Sequence, residues 1–339
     1  MFCNNSHIFC GMQSGKVRVY NLTDGQWVKD LESGEENLEV ERICGGKSIV
    51  AAKLGFPDRV GAPVVTVWSS KQEMERLHSF DVRNHEGMKR GRVVNTKVSG
   101  NKVFLLLKNG TLLTHQLVVL HEGEHNWENK ILESFTTPRW HNELAIDNDW
   151  LAVAGEDESR PDVLKVKLWK EELFRQDIEL PGVSAGFVSD VVLESPFFIV
   201  GGTSWLDGRL TGWIRVFQLA ADNLMEDLNY FAFLIKTLQF PCVYARKLLC
   251  TGLVLGCLLY NEDDKEHSLV LFEKNALLDT TTPPEETEKN LIHLGANCSM
   301  AMAMSATSLV FTQKVTGQED QWQNYLCKKD FWISRANTA

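Results

Sequence analysis

Three features of secreted and membrane-spanning proteins are missing from this sequence. Its eight cysteines stand singly, without a Cys-x-x-Cys pair, and this usage favours a reducing compartment over a disulfide framework. Residues 1–15 lack a basic start and a long apolar run, so we expect no secretory signal there. The longest apolar stretch, residues 248–260, is interrupted by polar residues and glycines and is too short to span a bilayer. The sequence therefore predicts a cytoplasmic or nuclear protein with no membrane partner.

An excess of positive charge is missing as well. The 339 residues include 35 Lys and Arg against 45 Asp and Glu, which gives a formal net charge of −10. Binding to nucleic acid or to an anionic membrane depends on an excess of Lys and Arg. We therefore expect no nucleic-acid partner, although a local basic patch remains compatible with the overall charge.

Signatures of catalysis and of metal or cofactor binding are also missing. The sequence contains no nucleophile elbow, Walker loop, dinucleotide fingerprint or His-Glu-x-x-His helix. The glycine pairs Gly45-Gly46 and Gly201-Gly202 are interpreted as strand ends and turns rather than phosphate cradles. Residues 121–125 (HEGEH) are assigned to a loop that has no helix or ribbon to fix metal geometry. The acidic triplets 156–158 and 262–264 lack the spacing of a calcium loop. We predict no cofactor, no metal and no enzymatic activity.

What the sequence does contain is a recurring pattern of short apolar runs, clearest in residues 150–180. Three runs, at 150–154, 163–169 and 174–178, are separated by a polar loop and by a tight turn. In the middle run, leucines and a valine alternate with two lysines and Trp169, which predicts a half-exposed strand in an antiparallel meander. Such a meander cannot bury its own faces, so it needs copies of itself.

Six other places carry the same succession of a strand, a loop and an alternating strand that closes on a bulky residue. The closing segments are residues 17–20, 65–68, 112–115, 166–169, 214–217, 269–272 and, weakly, 325–328. Their last positions are 47 to 56 residues apart. A nearly constant period of this size, with about four strands per unit, predicts propeller blades rather than a helical solenoid.

Segments 15–22, 64–68 and 164–169 resemble the third strand of WD40 repeats, in which a Gly-containing turn precedes alternating apolar residues and a terminal Trp, Tyr or Phe. No repeat has the Gly-His pair or a true Trp-Asp ending, so the hydrogen-bonded network of well-kept repeats is not carried over. The resemblance implies an all-β fold, a seven-bladed WD40-like β-propeller. A kelch-like or other propeller, or a pair of β-sandwiches, is the alternative.

We predict a single propeller domain over residues 1–339, with incomplete first and last blades. The first strand of blade one is missing or reduced to Phe2 and Cys3, and the last blade has no evident fourth strand. Residues 220–234 are predicted to be a helical insert, and residues 280–289 a mobile loop. The predicted blades lie at about residues 6–33, 40–82, 93–135, 143–180, 188–240, 243–294 and 299–333.

Arginines recur at one end of the predicted blades. The loops between second and third strands contain Arg59, Arg160 and Arg209. In a propeller these loops emerge on one face, which the connections between blades also reach. Those connections supply Arg83, Lys89, Arg90, Arg92, Arg139 and Trp140. Guanidinium groups bind carboxylate or phosphate through paired hydrogen bonds, and a Trp adds an apolar anchor, so the pattern predicts a surface for acidic or phosphorylated peptides.

The sequence therefore predicts a noncatalytic protein–protein interaction module, monomeric itself and part of a larger complex. The chain also resembles the divergent WD40 part of F-box proteins, which implies recruitment of substrates to a cullin-type ubiquitin ligase. The F-box itself would lie before Met1. A scaffold subunit of another multiprotein complex is the alternative, and a propeller-fold hydrolase is a further one.

Overall fold

A computed structural model gives the fold of the chain. The structure describes residues 1–328 with the exception of 5, 36, 47, 57–62, 72, 82–91, 108–110, 122–123, 135–142, 148, 157–159, 161–162, 181–185, 207, 223–228, 252–253, 280, 282, 284–288, 297, 305–307 and 315–321.

The described strands form seven antiparallel sheets, and each sheet is a meander of consecutive strands in chain order. Sheet one contains β1 (Phe2–Cys3), β2 (His7–Gly11), β3 (Val17–Asn21) and β4 (Trp27–Leu31). Sheet two contains β5 (Glu39–Gly45), β6 (Ile49–Gly55), β7 (Val64–Ser69) and β8 (Arg76–Asp81). Sheet three contains β9 (Val93–Ser99), β10 (Lys102–Leu107), β11 (Thr111–His121) and β12 (Glu124–Ser134). Sheet four contains β13 (Glu143–Asp147), β14 (Trp150–Glu156), β15 (Leu164–Lys170) and β16 (Leu173–Glu179).

The remaining three sheets follow the same plan. Sheet five contains β17 (Phe187–Glu194), β18 (Phe197–Leu206), β19 (Arg209–Asp222) and β20 (Asn229–Pro241). Sheet six contains β21 (Tyr244–Cys250), β22 (Val254–Asn261), β23 (Glu266–Glu273), a short helix α1 (Lys274–Leu278) and β24 (Lys289–Gly295). Sheet seven contains β25 (Cys298–Met304), β26 (Ser308–Lys314) and β27 (Trp322–Lys328).

The number of complete blades is six, not the seven that the sequence predicts. Six described sheets have four strands, whereas the residues expected to form the seventh blade give the three-stranded sheet seven. Residues 329–339, which follow β27, lie outside the described residues. The reduced first strand of sheet one is confirmed, because Phe2 and Cys3 pair with Phe9 and Ile8.

Burial of the second strand on both faces explains its nearly continuous apolar sequence. All seven residues of β6 are buried. Val50 and Ala52 pack with residues of sheet one, whereas Ile49 and Ala51 face sheet three. In β10, Leu105 likewise packs toward sheet two, and its neighbours Phe104 and Leu106 pack toward sheet four. Since successive side chains of a strand point to opposite faces, a strand between two neighbouring sheets must be apolar at every position.

Sheet four, the clearest pattern in the sequence, has the three strands that the apolar runs predict. Leu164, Val166 and Leu168 of β15 are buried, and the lysines between them are partly exposed, as expected. Trp169 differs from the prediction, because only 1% of it is exposed. It packs with Phe104 and Leu106, so the face of β15 that carries the lysines is covered by sheet three at its end.

The sheets fall into two compact units. Sheets one to four belong to the first unit, and sheets six and seven belong to the second, which also holds most of sheet five. In the first unit, neighbouring sheets share continuous apolar layers. In the second unit, similar layers join sheets five and six and sheets six and seven. The predicted single domain over residues 1–339 stays a prediction.

Three local predictions are corrected. Residues 220–222 and 229–234 are strand rather than helix, since they belong to the neighbouring strands β19 and β20 of sheet five. Gly201 and Gly202 lie within β18, where an added Cβ at Gly202 would be 2.3 Å from the ring of Trp213. Residues 121–125 are not a free loop, because their described members end β11 and begin β12, with His121 opposite Glu124. Gly45 ends β5, as predicted.

The first prediction concerns the apolar layer between sheets two and three. Leu105→Ala removes a side chain that is 0% exposed, so we expect a loss of about 2–5 kcal/mol in the free energy of unfolding. The matched control is Leu173→Ala, because Leu173 is 57% exposed and its truncation should cost less than about 0.5 kcal/mol. Urea unfolding of the two variants measures the difference, and equal effects would contradict the interlocked packing.

Candidate functional site

The arginines predicted to bind a partner belong to one end of each sheet. In a four-stranded meander, the loop between strands two and three lies at the end where strand one begins and strand four finishes. We call this end the 2–3 end. Arg92, Arg160 and Arg209 lie there in the described chain, just before β9, before β15 and at the start of β19 respectively. The other predicted residues, Arg59, Arg83, Lys89, Arg90, Arg139 and Trp140, lie outside the described residues.

Arg160 forms an ion pair at the 2–3 end of sheet four. Its guanidinium donates a hydrogen bond to Glu179 at the end of β16, and the two side chains are 48% and 52% exposed. Pairs this exposed contribute only about 0–1 kcal/mol, because water and salt screen them. A carboxylate or phosphate of a partner would therefore meet modest competition from Glu179.

Arg209 and Trp205 lie at the 2–3 end of sheet five. Trp205 pairs with Leu210 across the β18–β19 hairpin, and Leu206 pairs with Arg209. Trp205 is 56% exposed, and Arg209 is exposed too. Within the described part of the chain, the guanidinium of Arg209 makes no hydrogen bond or ion pair. Its N–H donors are thus available to a ligand at the same end of the hairpin as the exposed Trp205.

A group of aromatic residues surrounds an arginine at the 2–3 end of sheet six. Tyr244, the first residue of β21, lies opposite Tyr260 near the end of β22, with their ring centroids 6.2 Å apart. The guanidinium carbon of Arg246 is 4.5 Å from the ring centroid of Tyr244 and 5.2 Å from that of Tyr260. On the other side of Tyr260, the ring of His267 lies 4.8 Å away. Cation–π contacts of this kind restrict the position of a guanidinium group.

Hydrogen bonds and pKa shifts show how this group is held. The Tyr244 hydroxyl donates to a carboxylate oxygen of Glu262 at 2.7 Å, and this hydrogen bond raises the pKa of Tyr244. Burial, and then the positive charge of Arg246, lower the pKa of His267. His267 is therefore neutral at neutral pH, and Arg246 supplies the positive charge of the group.

A β-bulge aims the Arg246 side chain. Ala245 pairs with Leu259 and Lys247 pairs with Leu258, so Arg246 is an extra residue without an opposite partner in β22. The first strands of sheets two and three have bulges near the same end, where Glu41 and Val94 are the extra residues. Bulges bend a strand locally and redirect a side chain, and they are frequent beside functional sites.

The bulges of sheets two and three belong to a buried polar network. Lys53 is the charged residue of the otherwise apolar β6, and its ammonium donates to the carbonyl oxygen of Val94 at 2.8 Å. The same ammonium lies 3.0 Å from a carboxylate oxygen of Glu41. Burial lowers the pKa of Lys53, and the charge of Glu41 opposes that shift. The network thus ties the second strand of sheet two to the first strand of sheet three.

Glu143 extends this network to sheet four. One of its carboxylate oxygens accepts hydrogen bonds from Arg42 at 3.2 Å and from Asn95 at 2.9 Å. Asn95 is 1% exposed, and Glu143 is the first residue of β13. The first strands of sheets two, three and four are therefore joined by charge-assisted hydrogen bonds at their 2–3 ends.

In the second unit, buried side chains fix the start of sheet six against sheet five. The carboxylate of Asp190 accepts hydrogen bonds from the backbone N–H groups of Val191 at 2.9 Å and Leu248 at 3.1 Å. The hydroxyl oxygen of Thr203 accepts one from the N–H of Ala245 at 3.1 Å. β21, and with it the Arg246 bulge, is thus anchored on both sides of the bulge.

Comparison with known proteins rests on structure alone. No protein-family model matches the sequence, and no curated protein matches it either. Among solved structures, the Cps50 (Swd1) β-propeller domain from Myceliophteria thermophila is similar with a TM-score of 0.61 and 10% identity, over 95% of this chain and 92% of that chain. The chain has a β-propeller fold. The structure of KlAtg21 in complex with the coiled coil of AgAtg16 is also similar, with a TM-score of 0.58 and 11% identity, over 96% and 89% of the two chains.

These likenesses confirm the predicted WD40-like propeller as a fold. At identities of 10% and 11% they carry no site residue from one protein to another. The predicted likeness to F-box proteins receives no support from them. The blades of this propeller are the four-stranded sheets described above, and its candidate binding residues must be judged from their own geometry.

A cleft lies at the opposite end of sheets three and four of the propeller. It has a volume of about 400 Å³ and is lined by Ser99, Asn101, Lys102, Phe104, Ile146, Asp149, Leu151, Glu171 and Glu172. Lys102 donates a hydrogen bond to Glu172 across the cleft. The lysine of the lining therefore already has an acidic partner. The cleft lies at the end of the sheets opposite the predicted arginines.

Three buried cysteines of the propeller, Cys10, Cys44 and Cys257, are poor nucleophiles. Burial raises the pKa of the Cys10 and Cys44 thiols to about 11, and it raises that of Cys257 as well. Cys242 is exposed. Since the thiolate is the reactive form, buried thiols with raised pKa values do not support covalent catalysis. The described part of the chain also holds no group of three or more His, Cys, Asp or Glu that could bind a metal.

No helix in the described ranges is long and apolar enough to cross the membrane.

Sequence reasoning pointed to the 2–3 ends of the blades, which stays a prediction, and it missed the residues that the first strands place there. It examined loops, whereas Tyr244, Arg246 and Glu143 lie in strands. A usable signal existed for Lys53, because a single lysine inside a fully apolar run must find a partner when buried. No comparable signal marks Arg246, because the identity of a single residue does not reveal a β-bulge.

The buried network gives a second prediction. Glu143→Ala removes the acceptor for Arg42 and for the buried Asn95 amide, so we expect a loss of about 1–3 kcal/mol in the free energy of unfolding. The matched control is Glu32→Ala, because the Lys16–Glu32 ion pair is 2.8 Å long but 42% and 64% exposed. That control should change stability by less than about 1 kcal/mol. Thermal unfolding measures the stability of both variants. If Glu32→Ala lowers the free energy of unfolding as much as Glu143→Ala does, the buried network stabilises the fold no more than an exposed ion pair.

A third prediction concerns alkylation by iodoacetamide at pH 8. The exposed Cys242 should react first, whereas Cys10 and Cys44, with pKa values of about 11, should stay unmodified in the folded chain. The sign follows from the raised pKa values, because the thiolate fraction of these two thiols grows only as the pH approaches 11. Peptide mapping by mass spectrometry follows each residue, with the denatured chain as control. Alkylation of Cys10 at the rate of Cys242 would contradict the buried placement.

Proposed function

We propose that this propeller is a noncatalytic protein-interaction module that binds acidic or phosphorylated segments of partner proteins at the 2–3 ends of its blades. The carrying observation is the exposed pair Trp205 and Arg209 on sheet five. Trp205 is 56% exposed, and the guanidinium of Arg209 keeps its donors available within the described residues. Trp and Arg are the residue types most enriched at the energetic centres of protein interfaces.

The distribution of charge supports an acidic partner. The chain has a net charge of −10, so an acidic segment is repelled from most of the surface and is attracted only where basic groups are concentrated. Arg92, Arg160 and Arg209 lie at 2–3 ends of three sheets. Local basic groups on a negatively charged surface increase the specificity of binding to an acidic partner as much as its affinity. The predicted cytoplasmic or nuclear location suits phosphorylated partners.

The similar structures support a protein partner at the level of fold. One of them is described in complex with a coiled coil, which shows that a propeller of this shape accommodates a helical protein ligand. This likeness favours an interaction module over a hydrolase.

A scaffold subunit of another complex is the second candidate. The fourth strands of sheets five and six expose apolar side chains, with Phe233 42%, Leu234 43% and Leu291 53% exposed. A partner on these outer strands would leave the 2–3 ends unused. The narrower assignment to an F-box type ubiquitin ligase receptor has no observation of its own in the structure.

The fourth prediction tests the acidic-segment proposal by affinity capture from a cell lysate, with and without phosphatase treatment. The Arg160→Ala, Arg209→Ala double variant should lose partners that the native chain retains, because truncating an arginine that binds an anion costs about 2–5 kcal/mol. Phosphatase treatment should remove the partners that depend on phosphate.

The control variant removes two positive charges from the other end of the blades. Lys71 follows β7 and Lys170 ends β15, so Lys71→Ala, Lys170→Ala matches the change in net charge away from the 2–3 ends. This variant should capture the same partners as the native chain. If the arginine variant also captures them all, the acidic-segment proposal is wrong and the outer strands become the surface to test.

A further inference from the structure

We propose that Arg246, held between Tyr244 and Tyr260 on sheet six, receives a carboxylate or phosphate group from a side chain of a protein partner. The inference rests on the proposed function, and it names a receptor residue that lies outside the predicted arginine loops. Four observations carry it: the absence of an ion pair, the aromatic contacts, the bulge and the neighbouring surface of sheet five.

Arg246 differs from the ion-paired arginines of the described chain and shares with Arg209 a guanidinium that makes no hydrogen bond or ion pair there. Arg18 and Arg42 form ion pairs with Asp30 and Glu143 at 2.9 and 3.2 Å, and Arg160 pairs with Glu179. Within the described ranges, Arg246 makes contacts to aromatic rings but no hydrogen bond or ion pair. A half-buried guanidinium without an anion has given up part of its hydration and has gained no charged partner in return.

The acidic loop beside Arg246 does not supply that partner. Glu262 accepts the hydrogen bond of the Tyr244 hydroxyl at 2.7 Å. Asp264 accepts one from the side-chain amide of Asn261 at 2.9 Å. These carboxylates are therefore engaged with neutral groups of the loop 261–265, and Arg246 stays available.

The aromatic contacts leave the edge of the guanidinium for a ligand. Its carbon lies 4.5 and 5.2 Å from the ring centroids of Tyr244 and Tyr260, its N–H donors lie along the edge of the planar group, and none of them makes a hydrogen bond within the described ranges. Carboxylate and phosphate accept two parallel hydrogen bonds from such an edge. Because the rings and the bulge already restrict the side chain, binding costs less conformational entropy than it would for a free arginine.

The adjoining sheet adds an apolar and a basic contact. The N–H of Cys242, two residues before Tyr244, donates to the carbonyl oxygen of Leu210 at 2.8 Å. Leu210 pairs with the exposed Trp205 and follows Arg209. A segment bound at Arg246 therefore runs beside a Trp and a second arginine whose guanidinium has no partner in the described residues.

The test uses fluorescence polarisation with three pools of labelled peptides, identical except for a central phosphoserine, glutamate or glutamine. The full chain should bind the phosphoserine pool, the glutamate pool or both more tightly than the glutamine pool, and the comparison of the two anionic pools tells phosphate from carboxylate. Arg246→Ala should weaken that binding about tenfold or more. Arg246→Lys keeps the charge but loses the planar fork, so it should weaken binding by a smaller factor.

Lys265→Gln is the matched control, since Lys265 is an exposed cation of the same loop and should change binding by less than about twofold. The midpoints of thermal unfolding verify that the variants are folded. If Arg246→Ala does not fold, the Arg246→Lys variant still tests the site. Equal binding by the native chain and both Arg246 variants overturns this site. If the Arg160→Ala, Arg209→Ala variant then fails to bind the peptides, the proposed function stands without the Arg246 site. Equal binding of all three pools by the native chain overturns both.

Discussion

The structure depends on one packing constraint, which is that the second strand of a blade is buried on both faces. A single meander leaves both of its surfaces apolar in the middle, so it is stable only between neighbours. β6 and β10 show this directly, because alternate side chains of each strand enter the apolar layers on either side. The hydrophobic effect thereby fixes both the repetition of the sheets and their order.

The same constraint makes charged residues in these strands informative. Lys53 cannot reach water from β6, so it takes the carbonyl of Val94 and the carboxylate of Glu41 from first strands. Breaking such a network leaves a buried charge without compensation, which costs more than the network itself contributes. The bulges at Glu41 and Val94 place these partners where the ammonium needs them. Polar specificity at the 2–3 ends is thus a consequence of apolar packing in the centre of the sheets.

Sequence patterns predicted the repeating meander well, because alternation and turn residues report burial directly. β15 lies where its alternating run predicts it, and the shortened β1 was visible as a missing run before Ile8. Trp169 was expected on a half-exposed face but is buried, since its environment is decided by sheet three and not by its own strand. The helical prediction was wrong for residues 220–222 and 229–234, because the pairing of β19 with β20 outweighs the helical spacing of a few apolar residues.

The candidate site was predictable only as far as loop positions allow. The loop pattern selects Arg160 and Arg209 alike, yet the structure separates them, since one donates to Glu179 and the other has no anionic partner among the described residues. Arg246 escapes the pattern altogether, because a bulge in β21 turns a strand residue toward the 2–3 end. An arginine that a carboxylate already neutralises stabilises the fold, whereas one that aromatic rings hold and whose donors remain available is prepared for an external anion. Pairing state, which only three-dimensional contacts reveal, therefore decides which of the arginines of this propeller belong to its surface chemistry.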